Sequence, residues 1–487
     1  MVLARRLRPA PPTVVPLQAL VVPLALLTAA LVLLVPWGET AQPARTTGTL
    51  ALAVASFVLL LNGRGWLVAP LLVLQFSDSD YIVPFLGLSA RLALVLVSTA
   101  LLIPAIFAAD TLRDGVFWRM LVPGLAFVVL ATLGNMLHSD ADYVFKYFRF
   151  QVAQVLALVL VAVAPRGRRD LLAVAAAILL LASLAAAGAR QWVDESGRAA
   201  GFGTSPVSFA NQVAFVLLPL LGMLIVGPLR RHRLHALFLV AAAVLLYGLY
   251  ASQTRSGLLA VAAGVATIGL YLKGERRTVV LGLVIAGVVL FNVLDSAGLL
   301  AERFSDTTGE SAESAASHNA LLQAGLAIAL DDALLGIGHE QFEVVSADYA
   351  RAVSPDAELG AAALGLDRPH DDFLSVWTSW GIAALLAYGW MYAATLVSLA
   401  VAARSRDASI RGLAIGSAGG VVAYGVGSAF HNYLDSSIFL WVYAGLAVAL
   451  VRIGARPTQR RNVVWIARTR PSLRRRIMAA RQGAVRV

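Results

Sequence analysis

Apolar residues in this chain are gathered into runs of about 20, and short polar segments separate the runs. A helix of about 20 residues crosses the hydrocarbon core of a bilayer, and in lipid it satisfies its own backbone hydrogen bonds. The ten-residue alternation typical of a transmembrane β-barrel is not apparent. The pattern predicts helices over 16–37, 47–62, 66–76, 84–108, 117–137, 145–165, 171–189, 207–227, 236–251, 257–272, 278–294, 372–402, 412–430 and 437–453.

The predicted fold class is therefore all-α, a polytopic transmembrane helix bundle of about 12–14 helices. The segment 66–76 is short for a full span, so it is either a half-helix or a tilted pair with its neighbour. The exact helix count around 47–108 depends on it, because losing one crossing reverses the orientation of everything on one side.

One polar interruption, over 295–369, is long enough to form a small domain. It begins acidic, becomes amphipathic over 317–330, turns at 336–338 and ends in another irregular polar stretch. An amphipathic helix in this position would lie on the membrane surface or cover a cavity. The predicted organisation is N-terminal transmembrane helices over 1–294, a loop domain over 295–370, C-terminal transmembrane helices over 371–453 and a basic tail over 454–487.

Composition agrees with a membrane protein and excludes cysteine chemistry. Hydrophobic residues make up 59% of the chain and charged residues 14%, whereas a soluble domain carries about 25% charged residues. The absence of cysteine excludes disulfides, thiolate metal sites and a cysteine nucleophile.

The net charge of +11 is distributed in a way that indicates orientation. Most lysines and arginines fall in alternate inter-helix segments and in the tail, whereas most acidic residues fall in the other segments. Because lysine and arginine are enriched on the cytoplasmic side, both termini are predicted to be cytoplasmic and the loop 295–370 to lie outside. The tail is predicted to lie against anionic membrane lipids, and no nucleic-acid partner is expected.

Two arginines on the predicted outer side run against this charge rule. Arg255 lies in a polar break between two helices, and Arg198 precedes the turn 201–206. A guanidinium binds phosphate oxygens in a bidentate manner, so both are candidate substrate-binding residues. The alternatives are a side chain that reaches lipid headgroups for Arg255 and a solvated loop charge for Arg198.

His370 is the candidate catalytic residue, because it lies where the large loop meets the next helix. A neutral imidazole accepts a proton from a hydroxyl nucleophile near neutral pH. Asp371 and Asp372 follow in the first helical turn, where carboxylates also serve simply as N-terminal caps. Asp371 and His431, the latter in the next outer loop, are possible supporting residues.

Two acidic pairs suggest a different chemistry. Asp78 with Asp80, and Asp140 with Asp142, resemble the Asp-x-Asp metal site of many glycosyltransferases. Acidic outer loops produce this three-residue pattern readily, so no metal is predicted. His318 and His339 lack zinc-ligand spacing to any third ligand.

Taken in order, four segments resemble the O-antigen ligase and O-antigen polymerase superfamily of bacterial envelope proteins. They are Gly201-Phe202-Gly203-Thr204-Ser205-Pro206 through Asn211, Thr254-Arg255-Ser256-Gly257-Leu258-Leu259, Leu335-Gly336-Ile337-Gly338, and His370 with its helix. The resemblance covers roughly 200–450, while 1–190 contributes only hydropathy.

The chain departs from the ligase pattern at three positions. His370 and Gly381 match it, but Asp371 stands where ligases have Asn, Ser or Gln, and Ala384 where they have Gly, Thr or Tyr. His318 occupies the start of the loop helix, where the family often has arginine. These departures bear on the ligase subtype more than on the superfamily.

The resemblance implies a GT-C type membrane glycosyltransferase in the bacterial inner membrane, inverting and without a metal or other cofactor. The donor would be an oligosaccharide on undecaprenyl pyrophosphate, and the acceptor a glycan or lipid hydroxyl at the outer face. Arg255 and Arg198 would bind the pyrophosphate and His370 would take the acceptor proton.

Three other functions stay open at this point. A polymerase of the same superfamily would use a second lipid-linked glycan as acceptor. A secondary transporter or flippase is disfavoured because the predicted helix centres hold no Asp or Glu. A non-catalytic scaffold would place Arg255 and His370 at the same face only by accident.

Overall fold

The computed structural model describes residues 82–83, 88–89, 114–187, 189, 193, 197–201, 205–231, 235–296, 310–353, 368–434 and 437–455. The predicted helices over 16–37, 47–62 and 66–76 lie outside the described residues, as do nearly all of 84–108 and of the basic tail. The part that is described contains the segments that carry the candidate chemistry.

Helices dominate the described residues. They are α1 (Gly115–His138), α2 (Ala141–Val163), α3 (Arg168–Ala187), α4 (Pro206–Ile225), α5 (His235–Ala251), α6 (Arg255–Leu270), α7 (Glu275–Ser296), α8 (Glu310–Asp331), α9 (Gln341–Val353), α10 (Asp372–Ala402), α11 (Ala408–Ser428) and α12 (Phe439–Ala455), with a 3₁₀ turn at Pro228–Arg231. Two short strands, β1 (Ile82–Val83) and β2 (Leu88–Ser89), pair antiparallel.

Ten predicted membrane helices, from 117–137 to 437–453, correspond to helices of the structure with ends within about four residues. Six of the described helices, α1, α2, α3, α4, α10 and α11, are long and apolar enough to cross a membrane, and α5, α6 and α12 are shorter apolar helices. The all-α, polytopic fold class is confirmed. The total of about 12–14 helices stays a prediction, because it includes the segments before Asp114.

The structure differs from the predicted elements at three places. Residues 88–89, predicted as helix, are extended and pair with β1. The amphipathic helix predicted over 317–330 begins earlier, at Glu310. The stretch after the 336–338 turn was expected to be irregular, but it forms α9, whose Phe342, Val345 and Tyr349 pack on one face against α8. Their spacing of three and four residues was a helical signal in the sequence.

α11 is the centre of the bundle and contacts α4, α6, α10 and α12. Small residues allow this close packing. A Cβ added at Gly416 would lie 2.5 Å from the backbone oxygen of Leu218, and one at Gly419 2.6 Å from that of Gly264. α1 packs along α10 and α2 along α12, so the helix starts and ends that carry the candidate residues are held in one rigid frame.

Basic residues hold the other end of the bundle together. Arg168 forms a salt bridge with Asp407 at 3.4 Å, and Arg452 Nη2 donates to the carbonyl oxygen of Pro165 at 2.6 Å. All four residues come from segments that the charge pattern predicts to be cytoplasmic. These basic contacts thus lie at the end of the bundle opposite to His370. Which end faces the cytoplasm stays a prediction.

Candidate active site

Five elements meet at one end of the bundle. They contribute Arg198 from the segment before α4, Arg255 from the start of α6, His318 from α8, His370 from the residue pair before α10, and His431 from the turn after α11. Four of the five were singled out as candidate residues by the sequence, and His318 was not among them.

Three histidine rings form the centre of this arrangement. The rings of His318 and His370 meet edge to face, with centroids 4.5 Å apart. The ring of His431 lies 6.1 Å from His318 and 6.3 Å from His370. Residues 318, 370 and 431 are therefore brought together from three elements that are far apart in sequence.

Burial lowers the pKa of two of the three imidazoles, those of His431 and His318. The pKa of His431 is lowered to about 3, first by burial and then by His318, His370 and the nearby guanidinium of Arg198. Burial also lowers the pKa of His318. A hydrogen bond of 2.8 Å joins His431 Nε2 to Ser256 Oγ. Because Ser256 directly follows Arg255, this bond ties the histidine cluster to the start of α6.

His370 has an unusual backbone conformation. Its φ of +56° lies in the left-handed region, which is uncommon for a residue with a Cβ and costs about 1–3 kcal/mol. The next residue, Asp371, caps α10 by accepting a hydrogen bond from Leu374 N at 2.8 Å. The left-handed turn thus places His370 immediately outside a capped helix.

The simple capping interpretation holds for Asp371 and fails for Asp372. Burial raises the pKa of Asp371, and backbone N–H groups of Leu374 and Phe373 partly offset the shift. Asp372 is fully buried. Its Oδ1 accepts from the backbone N–H groups of Tyr433 and Leu434 at 2.8 and 2.9 Å.

Asp372 therefore connects the His370 segment to the His431 segment. The hydroxyl of Tyr424 donates to Asp372 Oδ2 at 3.2 Å, and one turn later Ser375 Oγ donates to Asn432 Oδ1 at 3.0 Å. Sequence analysis missed this role. An aspartate beside a capping aspartate carries no signal for backbone partners about 60 residues away.

Arg198 is anchored to the turn between α5 and α6. Its Nε donates to the carbonyl oxygen of Ser252 and its Nη2 to Thr254 Oγ1, both at 3.1 Å. The guanidinium is thereby held beside the start of α6 and near His431. The solvated loop charge considered for Arg198 is not what the structure has.

Arg255 is the first residue of α6, and its side chain is exposed. Thr254 is the N-cap, but its side chain makes no capping hydrogen bond to the helix. Backbone N–H groups at a helix start favour anions. Arg198, Arg255 and this helix start together form a positively polarised surface beside the three histidines.

The glycine motif in the loop docks into a break in α10. Gly381 has φ 78° and ψ 178° inside the helix. The N–H of Ile337 donates to Thr378 O at 2.8 Å, that of Gly338 to Ser379 O at 2.9 Å, and that of Ile382 to Ala333 O at 2.9 Å. A Cβ at Gly381 would overlap the backbone of Leu334. Because Gly381 has no side chain, the loop backbone can pack into this break in α10. Gly381 is the glycine that follows His370 in the ligase pattern.

His339 fixes the same loop to α1. Its ring stacks on Trp380 with centroids 5.3 Å apart, and its Nδ1 lies 3.3 Å from Ser379 Oγ. Asn135 Oδ1 accepts from Trp380 Nε1 at 2.8 Å and from His339 N at 3.3 Å. These contacts give His339 a packing role away from the other three histidines.

Of the two Asp-x-Asp pairs, the structure describes the one formed by Asp140 and Asp142. Asp140 caps α2 by accepting from Tyr143 N at 2.8 Å, and Asp142 is exposed in the first turn. Asp78 and Asp80 lie outside the described residues. Among the residues that are described, no group of three or more His, Asp or Glu side chains is placed to hold a metal ion.

A family model matches the part of the chain that carries most of these residues. Residues 240–389 match the family model described as O-Antigen ligase. The match covers 150 of the 487 residues. This match supports the resemblance of the region to the O-antigen ligase and polymerase superfamily. A search of the curated proteins finds no match.

The matched segment includes Arg255, His318 and His370, and it ends eight residues after Gly381. Arg198 and His431 lie outside it, and the structure brings both to the same end of the bundle. The candidate site therefore includes residues on both sides of the matched segment.

Proposed function

We propose that this protein transfers a glycan from undecaprenyl pyrophosphate to an acceptor hydroxyl, in the manner of an O-antigen ligase. The observation that carries the proposal is the cluster of His318, His370 and His431 directly beside Arg198 and the start of α6. It places imidazole side chains next to a positively polarised surface. Transfer from a pyrophosphate needs both, because one group must accept a proton while another stabilises negative charge.

The arginine side of the site would bind the pyrophosphate. This leaving group is already good, so the protein has mainly to position it and stabilise its charge. Arg255 offers an exposed guanidinium at a helix start, which suits bidentate binding of phosphate oxygens. Arg198, held by two hydrogen bonds, supplies a fixed positive charge beside it.

The histidine side would activate the acceptor. His370 takes the proton as the acceptor oxygen attacks the anomeric carbon. The bond from that carbon to the phosphate oxygen breaks, and its electron pair leaves with undecaprenyl pyrophosphate. A single displacement of this kind inverts the anomeric configuration. The arginines supply the positive charge that a metal supplies in other glycosyltransferases, so the proposed reaction is metal-independent.

Asp371 and His431 support this step in different ways. Asp371 caps the helix that follows His370, and His431 joins the cluster to Ser256. The loop domain contributes α8, which brings His318 over His370. The loop would thus roof the site, with the polyprenyl tail of the donor entering from the surrounding lipid.

The test is glycan transfer by the purified protein in detergent, with a defined oligosaccharide on undecaprenyl pyrophosphate. Parallel reactions contain lipid A core or a second lipid-linked glycan as acceptor. We expect transfer to lipid A core and release of undecaprenyl pyrophosphate, unaffected by EDTA. Transfer only to the second lipid-linked glycan would identify the polymerase, which the same site geometry also accommodates.

Two other outcomes would overturn parts of the proposal. Loss of transfer in EDTA, with recovery on adding Mg²⁺ or Mn²⁺, would replace the arginine mechanism with a metal-assisted one. Movement of the donor across vesicle membranes without any transfer would identify a flippase instead.

The proposed location is the bacterial inner membrane, with both termini in the cytoplasm and the site at the outer face. Because the chain lacks cysteine, single cysteines test this directly. Exposed positions are available at Asn319 in α8 and at Arg406 between α10 and α11. Asn319→Cys should react with an impermeant maleimide in intact spheroplasts and Arg406→Cys only after lysis. The reverse labelling would contradict the orientation.

A further inference from the structure

His318 is the one member of the histidine cluster to which the proposed reaction assigns no step. Its ring lies edge to face with that of His370, at 4.5 Å between centroids and 77° between planes. His431 makes its hydrogen bond to Ser256, whereas the ring nearest to His370 within the described residues is that of His318. A contact this close makes the protonation of one ring depend on the other.

We propose that His318 and His370 share one proton during glycan transfer, so that His318 is a positioning residue that acts through His370. This inference rests on the proposed function. In the reaction the acceptor O–H bond breaks and its proton passes to His370. The new glycosidic bond forms as the bond from the anomeric carbon to the phosphate oxygen breaks, and undecaprenyl pyrophosphate leaves with that electron pair. The proton is then held by the pair and is released to water before the next turnover.

The geometry favours one proton on the pair and disfavours two. A protonated imidazole whose edge faces an aromatic ring is stabilised by that ring's π electrons, as in cation–π contacts. A second proton would put two positive charges at 4.5 Å, beside the guanidinium of Arg198. The pair therefore accepts the acceptor's proton more readily than a single buried ring does. It resists binding a second proton.

The charged and titratable neighbours of the pair come from three elements. His431 faces both rings from the turn after α11, and Arg198 acts on His431 from the segment before α4. Asp371 follows His370, with buried Asp372 behind it. Burial lowers the pKa of His318, which disfavours a resting positive charge on that ring at neutral pH.

The experiment measures the pH dependence of kcat and kcat/KM for His318→Phe and His318→Gln beside wild type. Phe keeps an aromatic ring without a basic nitrogen, and Gln keeps a polar group that does not titrate. Without its partner, His370 holds the proton less tightly. In both variants the acidic limb of the pH–rate profile should move to lower pH by about 0.5–1 unit. The value of kcat should fall by up to about tenfold. KM for the donor should stay within about twofold.

The neighbouring exposed residue provides the matched control. Asn319→Ala, in the next position of α8, should leave both the rate and the pH profile unchanged. An acidic limb of His318→Phe that coincides with wild type would show that His318 acts only as an aromatic ring and does not share the proton, and a shift to higher pH would show that it repels the proton. Either result overturns the shared proton. If His318→Phe does not fold, His318→Gln decides in the same way.

A second measurement needs no glycan transfer. The chain has only seven histidines, so NMR of histidine-labelled protein in detergent can follow each ring, with His318→Phe and His370→Gln assigning two of them. Binding of the first proton should shift the signals of rings 318 and 370 at the same midpoint, and a first step seen at one ring alone would contradict the pair. If wild type transfers no glycan but the rings titrate together, the proposed function fails and the pair stands.

Discussion

Two helix starts contribute to the candidate site, and they are built in opposite ways. At the start of α10, Asp371 caps the helix and Asp372 is buried among three hydrogen bonds. At the start of α6, Thr254 makes no capping bond from its side chain and Arg255 is exposed. The α10 start is thus fixed by internal bonds, whereas the α6 start presents its charge outward.

The contrast suggests a division of labour. A general base must be held in one position, because proton transfer depends on the distance to the acceptor hydroxyl. An anion site must instead offer donors to a ligand, and an exposed guanidinium at a helix start does so. Substitutions at the two helix starts should therefore affect turnover and donor binding separately.

The largest expected effect is at the fixed helix start. His370→Gln keeps a hydrogen-bonding side chain of similar size but cannot take the proton. Turnover should fall by about 10²–10⁴-fold, while donor affinity remains close to wild type. Transfer rates and donor binding, measured on monodisperse protein, check this. Normal turnover in a well-folded His370→Gln would show that the base is another residue.

The next effect is at the exposed helix start. Arg255→Lys keeps the charge but loses the bidentate fork. Each charge-assisted hydrogen bond contributes about 1.5–3 kcal/mol, so donor affinity should weaken about ten- to a hundredfold per bond. Direct binding of the lipid-linked donor measures it. Wild-type affinity would indicate an arginine that reaches lipid headgroups, the alternative considered from the sequence.

Arg198→Lys sharpens the same comparison at a neighbouring position. Arg198 is held by two hydrogen bonds within the protein, so its replacement should also lower the melting temperature. Arg255→Lys, at an exposed position, should lower the melting temperature less than Arg198→Lys does. Equal thermal effects of the two substitutions would contradict this distinction.

The two adjacent aspartates should differ in stability. Asp372→Ala leaves the buried N–H groups of Tyr433 and Leu434 without their acceptor, at about 1–3 kcal/mol each. Asp371→Ala removes one helix cap, at about 1 kcal/mol. Thermal unfolding in detergent should therefore rank Asp372→Ala well below Asp371→Ala. The opposite ranking would mean that the 433–434 segment is held by other contacts.

The smallest effect concerns pH and stability. The folded-state pKa of His431 is about 3, below the usual value of about 6.5. Between these two values the unfolded chain binds a proton that the folded protein does not, so stability falls as pH is lowered. The loss relative to pH 8 is about 2 kcal/mol at pH 5. His431→Gln should reduce this dependence, measured as melting temperature between pH 8 and pH 5. An unchanged dependence would show that other groups cause it.

The sequence by itself determined the membrane-helix pattern. Runs of about 20 apolar residues have one stable form in lipid, so helices such as α4 and α10 were predicted nearly to the residue. It also singled out Arg198, Arg255, His370 and His431, because polar side chains beside membrane helices stand out against an apolar background. The loop helix α9 carried a local signal too, although it was weaker than that of the membrane helices.

The tertiary structure alone decided which residues act together. The pairing of His318 with His370, the bonds from Asp372 to Tyr433 and Leu434, and the docking of Gly338 into the break at Gly381 join segments from about 40 to 60 residues apart. Apolar periodicity reports only whether a position faces lipid or protein. A hydrogen bond or ring contact depends on how whole helices pack, and this is set by the close approach of small residues such as Gly416 and Gly419 along α11.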